Sequence, residues 1–297
     1  MTGGYAHSLS SALPKSVKIV EVGPRDGLQN ETAVPLEVKV ELINRLSQTG
    51  LTHIESGAFV SAKKIPQMTE SGEVFQQIQR TANVSYSALT PNLKGLEQAI
   101  ASNVDEVAVF TSASESFCQR NINCSIAESL ERFKPVIDLS NEHSIPVRGY
   151  LSCVIDCPYD GETDPNSVAS LTRQMLDIGC YEISLGDTIG TGTPLRVAAM
   201  LEAVLAHCPK QQIAVHFHDT YGQAIANIYQ ALLMGITTID SSIAGLGGCP
   251  YAKGASGNVA TENVVYLCEG LGVETSVDMD KLASATRYIC QQLAKAP

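Results

Sequence analysis

The stretch IAVHFHDTYG, from Ile213 to Gly222, is an apolar run that ends in two histidines. A short apolar run that is bounded by turn residues is typical of a buried strand in a parallel sheet. Side chains at positions i and i+2 of a strand share one face, so His216 and His218 point together, away from Val215 and Phe217. Two imidazoles on one face of a buried strand therefore indicate a specific structural or chemical role.

Eight short β-rich runs of this kind alternate with stretches that suit helices. The runs are 17–22, 51–56, 84–89, 106–110, 147–153, 181–185, 213–217 and 238–243. Between them, apolar residues recur at helical spacing, as in the segments 36–43 and 225–232. Strands that alternate with helices predict a parallel sheet, and eight such units in 297 residues predict an α/β fold, a (β/α)8 TIM barrel.

No linker, low-complexity tract or shift in composition divides the chain. We expect residues 1–297 to form a single catalytic domain, with the barrel at about 17–276 and an additional C-terminal helix at about 277–297. An open doubly wound sheet is the alternative, and such sheets usually carry a glycine-rich phosphate loop after the first strand. Here the first run is followed by the charged segment GPRDGLQNE, at 23–31, without that glycine spacing. The barrel is therefore the preferred fold.

Composition limits the class of function. A formal net charge of −11 argues against nucleic acid and anionic membranes as partners, because both bind through positive surfaces. Nine cysteines without a repeating pattern favour reduced thiols over a disulfide framework. The sequence carries neither a membrane-spanning stretch nor a secretory signal, so we expect a cytoplasmic protein.

Active sites of TIM barrels lie at the C-terminal ends of the strands, and this rule selects the candidate residues. Those at or near the ends of the runs are Arg25, Asp26, Glu55, Arg148, Asp187, His216 and His218. In a closed barrel the first strand lies next to the eighth and one strand from the seventh. Asp26 is therefore a candidate carboxylate ligand for a metal that His216 and His218 bind. Such a mixed nitrogen and oxygen site suits Mg²⁺ or Mn²⁺ better than a closed zinc site.

The segment AGLGGCPYAKGASGN, at 244–258, is the second informative stretch. It holds five glycines between Gly245 and Gly257, which suits close approach to a ligand or the movement of a lid. Cys249 is either an unreactive loop thiol or a catalytic one, and Lys253 is either a solvated cation or a phosphate contact. Plainer interpretations also exist for Asp26 as a turn residue, and for Asp187 and Asn258 as helix caps.

Six motifs carry a resemblance to a known family: EVGPRDGLQNE, LTPNLKG, NINCSI, ISLGDTIG, HFHDTYGQA and GLGGCPYAKGASGNVATE. The chain resembles the 3-hydroxy-3-methylglutaryl-CoA lyases, which are metal-dependent TIM-barrel enzymes, from about Val17 to the last helix. The resemblance implies that Asp26, His216, His218 and Asn258 are metal ligands. It also implies that Arg25 lies beside the thioester carbonyl, that Cys249 is catalytic, and that Glu55 and Asp187 are acidic active-site residues.

The reaction implied by the resemblance is a retro-Claisen cleavage of the substrate to acetoacetate and acetyl-CoA. A divalent cation, Mg²⁺ or Mn²⁺, would bind the substrate's hydroxyl and carboxylate. The base that removes the hydroxyl proton is left open among His216, Asp26 and Asp187. Arg25 would stabilise the enolate oxygen, and Cys249 would protonate the carbanion or close the site. We expect Arg148 and Lys253 to contact the acyl-CoA, and the chain to form a homodimer.

Three alternatives stay open at this point. Claisen-condensing synthases share the barrel and the metal-binding pair but commonly add a regulatory region, for which this chain is too short. Lyases for other 3-hydroxyacyl-CoA substrates are closer competitors. A non-catalytic barrel that binds an acyl-CoA or a metal would not need Arg25, Asp26 and Cys249 together.

Overall fold

The protein folds as a closed barrel of eight parallel strands, seen in a computed structural model that describes residues 13–61, 63–247 and 257–295. The barrel strands are β1 (Lys18–Glu21), β2 (His53–Ala58), β3 (Ser85–Leu89), β4 (Glu106–Ser112), β5 (Val147–Ser152), β8 (Glu182–Asp187), β9 (Ile213–Phe217) and β10 (Thr238–Ser241). Their order around the barrel is β1-β10-β9-β8-β5-β4-β3-β2. The prediction of a TIM barrel is confirmed.

Helices alternate with the strands and cover the outside of the barrel. They are Leu36–Leu46, Ser71–Gln77, Leu93–Ala101, Glu115–Ile122, Ile126–Glu142, Pro165–Asp177, Pro194–Leu205, Ala224–Leu233, Thr261–Leu271 and Met279–Gln292. The last of these is the expected C-terminal helix, which packs against the helix Leu36–Leu46. A small antiparallel hairpin, β6 (Asp156–Cys157) with β7 (Gly161–Glu162), follows β5 and did not show in the sequence pattern.

The apolar core lies between the strands and the helices. On β9 the outward-facing Val215 and Phe217 are buried, and the helical stripe Leu42, Ile43 and Leu46 is fully enclosed. Each apolar side chain buried in this way contributes roughly 1.5–3 kcal/mol. Because this core lies outside the strands, the inner face of the barrel can carry polar groups. Among the described residues, no helix is both long and apolar enough to cross a membrane.

Candidate active site

A tight turn directly after β1, Gly23–Gly27, carries Arg25 and Asp26. The Val22 carbonyl accepts hydrogen bonds from the backbone amides of both residues, at 3.2 and 2.7 Å. The buried Glu21 carboxylate accepts from the Gly23 amide at 2.8 Å. A Cβ atom on Gly23 would lie 2.6 Å from that carboxylate, so the turn needs glycine here. This packing holds the turn at the rim of the barrel.

Asp26, His216 and His218 converge at this rim. One ligating atom of each residue can be chosen so that all three lie within 4.8 Å of one another. Asp26 Oδ2 is 4.0 Å from His216 Nε2 and accepts a hydrogen bond of 2.8 Å from the Asn258 side-chain amide. The arrangement therefore joins β1, β9 and the segment that precedes the helix Thr261–Leu271.

The protonation states of the three side chains suit a cation. Burial disfavours the ionised form of Asp26, but the charges of Arg25 and of the histidines outweigh it and hold the pKa at about 2. Burial, together with the charge of His216, lowers the pKa of His218 to about 4, so this ring is neutral near pH 7. Within the described part of the chain, the buried His218 Nδ1 has no hydrogen-bond partner. An unpartnered buried nitrogen beside an ionised carboxylate fits a divalent metal ion.

The second histidine has a different environment. Burial lowers the pKa of His216, but the hydrogen bond to Asp240 and the negative charges of Asp240 and Asp26 outweigh this and raise it. A metal ion that binds this ring must displace its proton, so metal affinity should rise with pH.

Arg25 lies between two carboxylates. Its Nη1 is 2.6 Å from Asp26 Oδ1 and its Nη2 is 2.6 Å from Glu55 Oε2. The guanidinium also sits over the Tyr150 ring, 5.5 Å from the ring centre. Glu55 is fully buried beneath Arg25 and does not line the cavity. Burial raises its pKa, and Arg25 opposes this rise. Among the described residues, Glu55 therefore acts on the cavity through its ion pair with Arg25.

A cavity of about 290 Å³ opens at this point and has two unlike walls. The polar wall is formed by Arg25, Asp26, His216 and His218. The apolar wall comes mainly from β2, β3 and β4 and from the segments that follow them, and consists of Val60, Ile65, Leu89, Phe110 and Phe117. A more open hollow of about 730 Å³ adjoins it at Val60, but none of the predicted site residues lines that hollow. The smaller cavity is therefore the candidate active site.

Two further predicted site residues, Asp187 and Arg148, also do not line this cavity. Asp187 faces outward from β8, where its carboxylate accepts hydrogen bonds from the backbone amides of Thr191 and Gly192, at 3.2 and 2.8 Å. Burial raises its pKa to about 6. The side chain holds the loop after β8 and is not among the described residues that line the cavity, so a catalytic Asp187 stays a prediction.

Arg148 is the second residue that lies away from the cavity. We expected it to contact the acyl-CoA, but it is enclosed inside the barrel at 1% exposure. Its guanidinium is bound by Glu182 at 2.8 Å and by both oxygens of Asp240, at 3.0 and 2.8 Å. Two other predicted residues, Cys249 and Lys253, lie outside the described residues.

Tyr150 and Asp240 were missed in the sequence. Tyr150 lines the cavity, and its ring meets that of His216 edge to face at 6.2 Å between centres. Asp240 is hydrogen-bonded to His216 from the neighbouring strand. The sequence could have indicated both residues. Each occupies an inward-facing position of a predicted strand, where burial of a polar side chain costs free energy unless the side chain is hydrogen-bonded.

Comparison with known proteins assigns the chain to a family. The HMGL-like family matches residues 16–289. The chain belongs to the HMGL-like family. The expected resemblance is thus confirmed.

Named relatives match over almost the whole chain. A Pseudomonas aeruginosa protein named 3-hydroxy-3-isohexenylglutaryl-CoA/hydroxy-methylglutaryl-CoA lyase is 58% identical over 96% of this chain and 95% of its own length. The mouse cytoplasmic 3-hydroxy-3-methylglutaryl-CoA lyase is 55% identical over 95% of this chain and 83% of its own, and a similar chicken relative is named mitochondrial. The crystal structure of hydroxymethylglutaryl-CoA lyase from Pseudomonas aeruginosa has a TM-score of 0.95 at 57% identity, and covers 96% of this chain and 95% of that one.

Proposed function

We propose that this chain is a divalent-metal-dependent hydroxymethylglutaryl-CoA lyase, which cleaves 3-hydroxy-3-methylglutaryl-CoA to acetoacetate and acetyl-CoA. The observation that carries the proposal is the convergence of Asp26, His216 and His218 on one rim, in a chain 55–58% identical to lyases of that name. The expectation of a carbon–carbon lyase, made from the sequence, agrees with these relatives.

Asp26, His216, His218 and Asn258 would hold the metal ion. The two hydrogen bonds that the Asn258 side chain makes to described residues, Asp26 and the Leu246 carbonyl, both use its amide nitrogen, so the amide oxygen is the atom that would bind a cation. Mg²⁺ or Mn²⁺ in this site supplies a Lewis acid that lowers the pKa of a bound hydroxyl group and orients it. The mixture of nitrogen and oxygen donors supports either of these ions.

The chain's own residues supply the remaining chemistry. Arg25 lines the cavity, and its positive charge would stabilise the thioester oxygen as this becomes an enolate oxygen. The base that accepts the hydroxyl proton stays open among Asp26, His216 and Asp187. Asp187 does not line the cavity, and His216 can accept a proton only where its Nε2 is not bound to the metal ion. The apolar wall excludes water from the carbanion until it is protonated. Cys249 stays the proposed proton donor or closing residue of the loop.

A second substrate is favoured by one observation. The Pseudomonas aeruginosa relative is named for a 3-hydroxy-3-isohexenylglutaryl-CoA as well. The apolar wall of the cavity, with Val60, Ile65 and Leu89, offers a surface on which a longer hydrocarbon substituent at C3 would be buried. Cleavage of such a branched homologue is therefore the second candidate activity.

A coupled assay for acetoacetate tests the proposal. Purified protein with Mg²⁺ or Mn²⁺ should release acetoacetate from 3-hydroxy-3-methylglutaryl-CoA, and chelator treatment should abolish the release. His218→Ala should lose activity that excess metal restores only in part, with the fold retained because the barrel core does not depend on this side chain. Full activity after chelation would refute the metal, and an absence of product with metal present would favour a synthase or a binding protein.

Partners and compartment stay predictions. An acyl-CoA is the partner that the names of the relatives support, and we propose a homodimer and no nucleic-acid or membrane partner. The names of the relatives support the cytoplasm and the mitochondrion alike, and we retain the cytoplasm. Light scattering of the purified protein measures the oligomeric state.

A further inference from the structure

A buried carboxylate on β10 lies directly behind the proposed metal site. Asp240 pairs in register with His216 of β9, so that both side chains face the barrel interior side by side. Asp240 is 2% exposed, and its Oδ2 is 3.3 Å from His216 Nδ1. The opposite ring nitrogen, Nε2, faces Asp26 Oδ2 at 4.0 Å. His216 therefore spans the gap between Asp240 and the rim.

Hydrogen bonds donated by Ser184 and Arg148 hold Asp240 in place. The Ser184 hydroxyl donates to its Oδ2 at 2.7 Å, and Arg148 donates to Oδ2 and Oδ1 at 3.0 and 2.8 Å. Arg148 is itself fixed by Glu182 at 2.8 Å and donates to the Tyr150 hydroxyl at 3.1 Å. Because a guanidinium occupies both carboxylate oxygens, Asp240 is ionised and can only accept.

The tautomer of His216 follows from this arrangement. A ring nitrogen that faces an ionised carboxylate must carry the proton, so His216 Nδ1 donates to Asp240. The neutral ring then holds its lone pair on Nε2, which faces Asp26 and the rim. We propose that Asp240 is a positioning residue that fixes His216 in the Nδ1–H tautomer and so prepares Nε2 to bind the metal ion. This inference rests on the metal site of the proposed function.

The test is Asp240→Asn, which keeps the size of the side chain and removes its charge. Loss of a partner behind a metal-binding histidine typically lowers metal affinity about 10–100-fold, and we expect a loss in that range for Mn²⁺. Binding is measured without substrate, by the electron paramagnetic resonance signal of free Mn²⁺. In metal-free protein at alkaline pH, where the ring is neutral, ¹⁵N spectra should show the His216 proton on Nδ1 in the wild type. The variant should shift it toward Nε2. His216→Gln assigns the resonance.

Glu182→Gln is the matched control. It alters a buried partner of Arg148 in the same barrel interior but leaves the contact between Asp240 and His216 intact. We expect its Mn²⁺ affinity and its His216 tautomer to equal those of the wild type. A loss as large as that of Asp240→Asn would overturn the proposal, because it would show a general effect of the buried charges.

A further variant guards against misfolding. Arg148→Met combined with Asp240→Leu removes both charges of this pair, and Glu182 keeps its ion pair with Lys18 at 2.9 Å, so that no carboxylate is left without a cation. This protein should fold and still bind Mn²⁺ at least about 10-fold more weakly than the wild type. If it or Asp240→Asn folds and binds Mn²⁺ as the wild type does, only the role of Asp240 fails. If the wild type itself binds no Mn²⁺, the metal site fails and the positioning role fails with it.

Discussion

Replacement of Arg25 by methionine should have two effects with different causes, one on the free energy of unfolding and one on kcat. The guanidinium is the one group among the described residues that lies within ion-pair distance of Glu55, which is fully buried. Removal of one partner of a buried ion pair typically costs about 3–5 kcal/mol. Asp26 keeps its hydrogen bond from Asn258, so most of this cost falls on Glu55. Burial already raises the pKa of Glu55, and without Arg25 it should take up a proton on folding.

The catalytic cost has a different origin. The thioester oxygen gains charge only as the carbon–carbon bond breaks, so a cation aimed at it stabilises the transition state more than the bound substrate. By analogy with the loss of a preorganised oxyanion donor, Arg25→Met should lower kcat about 10²–10³-fold, or roughly 3–4 kcal/mol. Arg25→Lys should restore little of this, because a single ammonium cannot bridge Asp26 and Glu55 as the planar fork does.

The double variant Arg25→Met with Glu55→Gln distinguishes the two effects. It removes the stranded carboxylate, so urea unfolding should show that more than half of the lost stability returns. Steady-state kinetics with saturating metal should show that kcat stays as low as in the single variant. Recovery of kcat in the double variant would refute the enolate role, since the defect would then belong to Glu55. A raised KM at unchanged kcat would also refute it, because Arg25 would only bind substrate.

Three more outcomes are expected from the structure. Burial raises the pKa of Glu106 to about 7, so its contribution to stability is complete below the ordinary carboxyl pKa and is lost as the pH rises through about 7. Glu106→Gln should therefore reduce the pH dependence of the free energy of unfolding by up to about 3 kcal/mol. The same pH dependence in both proteins would contradict this. Leu42→Ala, in the core, should cost about 2–5 kcal/mol in urea unfolding, whereas Leu195→Ala, at 83% exposure, should change it by less than about 0.5 kcal/mol. Cys249→Ala should sharply lower turnover while substrate still binds in a calorimetric titration, and normal turnover would mean an unreactive loop thiol.

The fold could be predicted because its signal is repeated. Each of the eight β-rich runs overlaps a barrel strand, and the run 213–217 coincides with β9. Apolar runs that alternate with amphipathic stretches leave few ways to bury both. The hairpin of β6 and β7 was not predicted, because strands of two residues show no hydrophobic periodicity.

The site was predictable only in part, for a geometrical reason. The strand pattern predicted that His216 and His218 face the same side. The rule that active sites lie at strand ends selected Asp26 as a candidate ligand. The same rule does not say which way Asp187 faces, because a residue at a strand end faces the cavity or the helices according to whether its position in the strand is odd or even. Arg148 faces the barrel interior, but it is the second residue of β5 and lies too deep in the barrel to reach the rim. Depth in a barrel depends on the stagger between strands, which no single run of sequence records.

The two walls of the active-site cavity come from different arcs of the barrel. The charged wall belongs to β1 and β9, whereas Val60, Ile65 and Leu89 belong to β2 and β3 and their following segments. Substitutions on one arc can therefore accumulate during divergence while the other stays unchanged. A descendant of this chain can acquire a new hydrocarbon preference and inherit its bond-breaking chemistry intact. For enzyme engineering, the same separation makes the β2–β3 arc the place for a combinatorial library, with the β1–β9 arc left as it is.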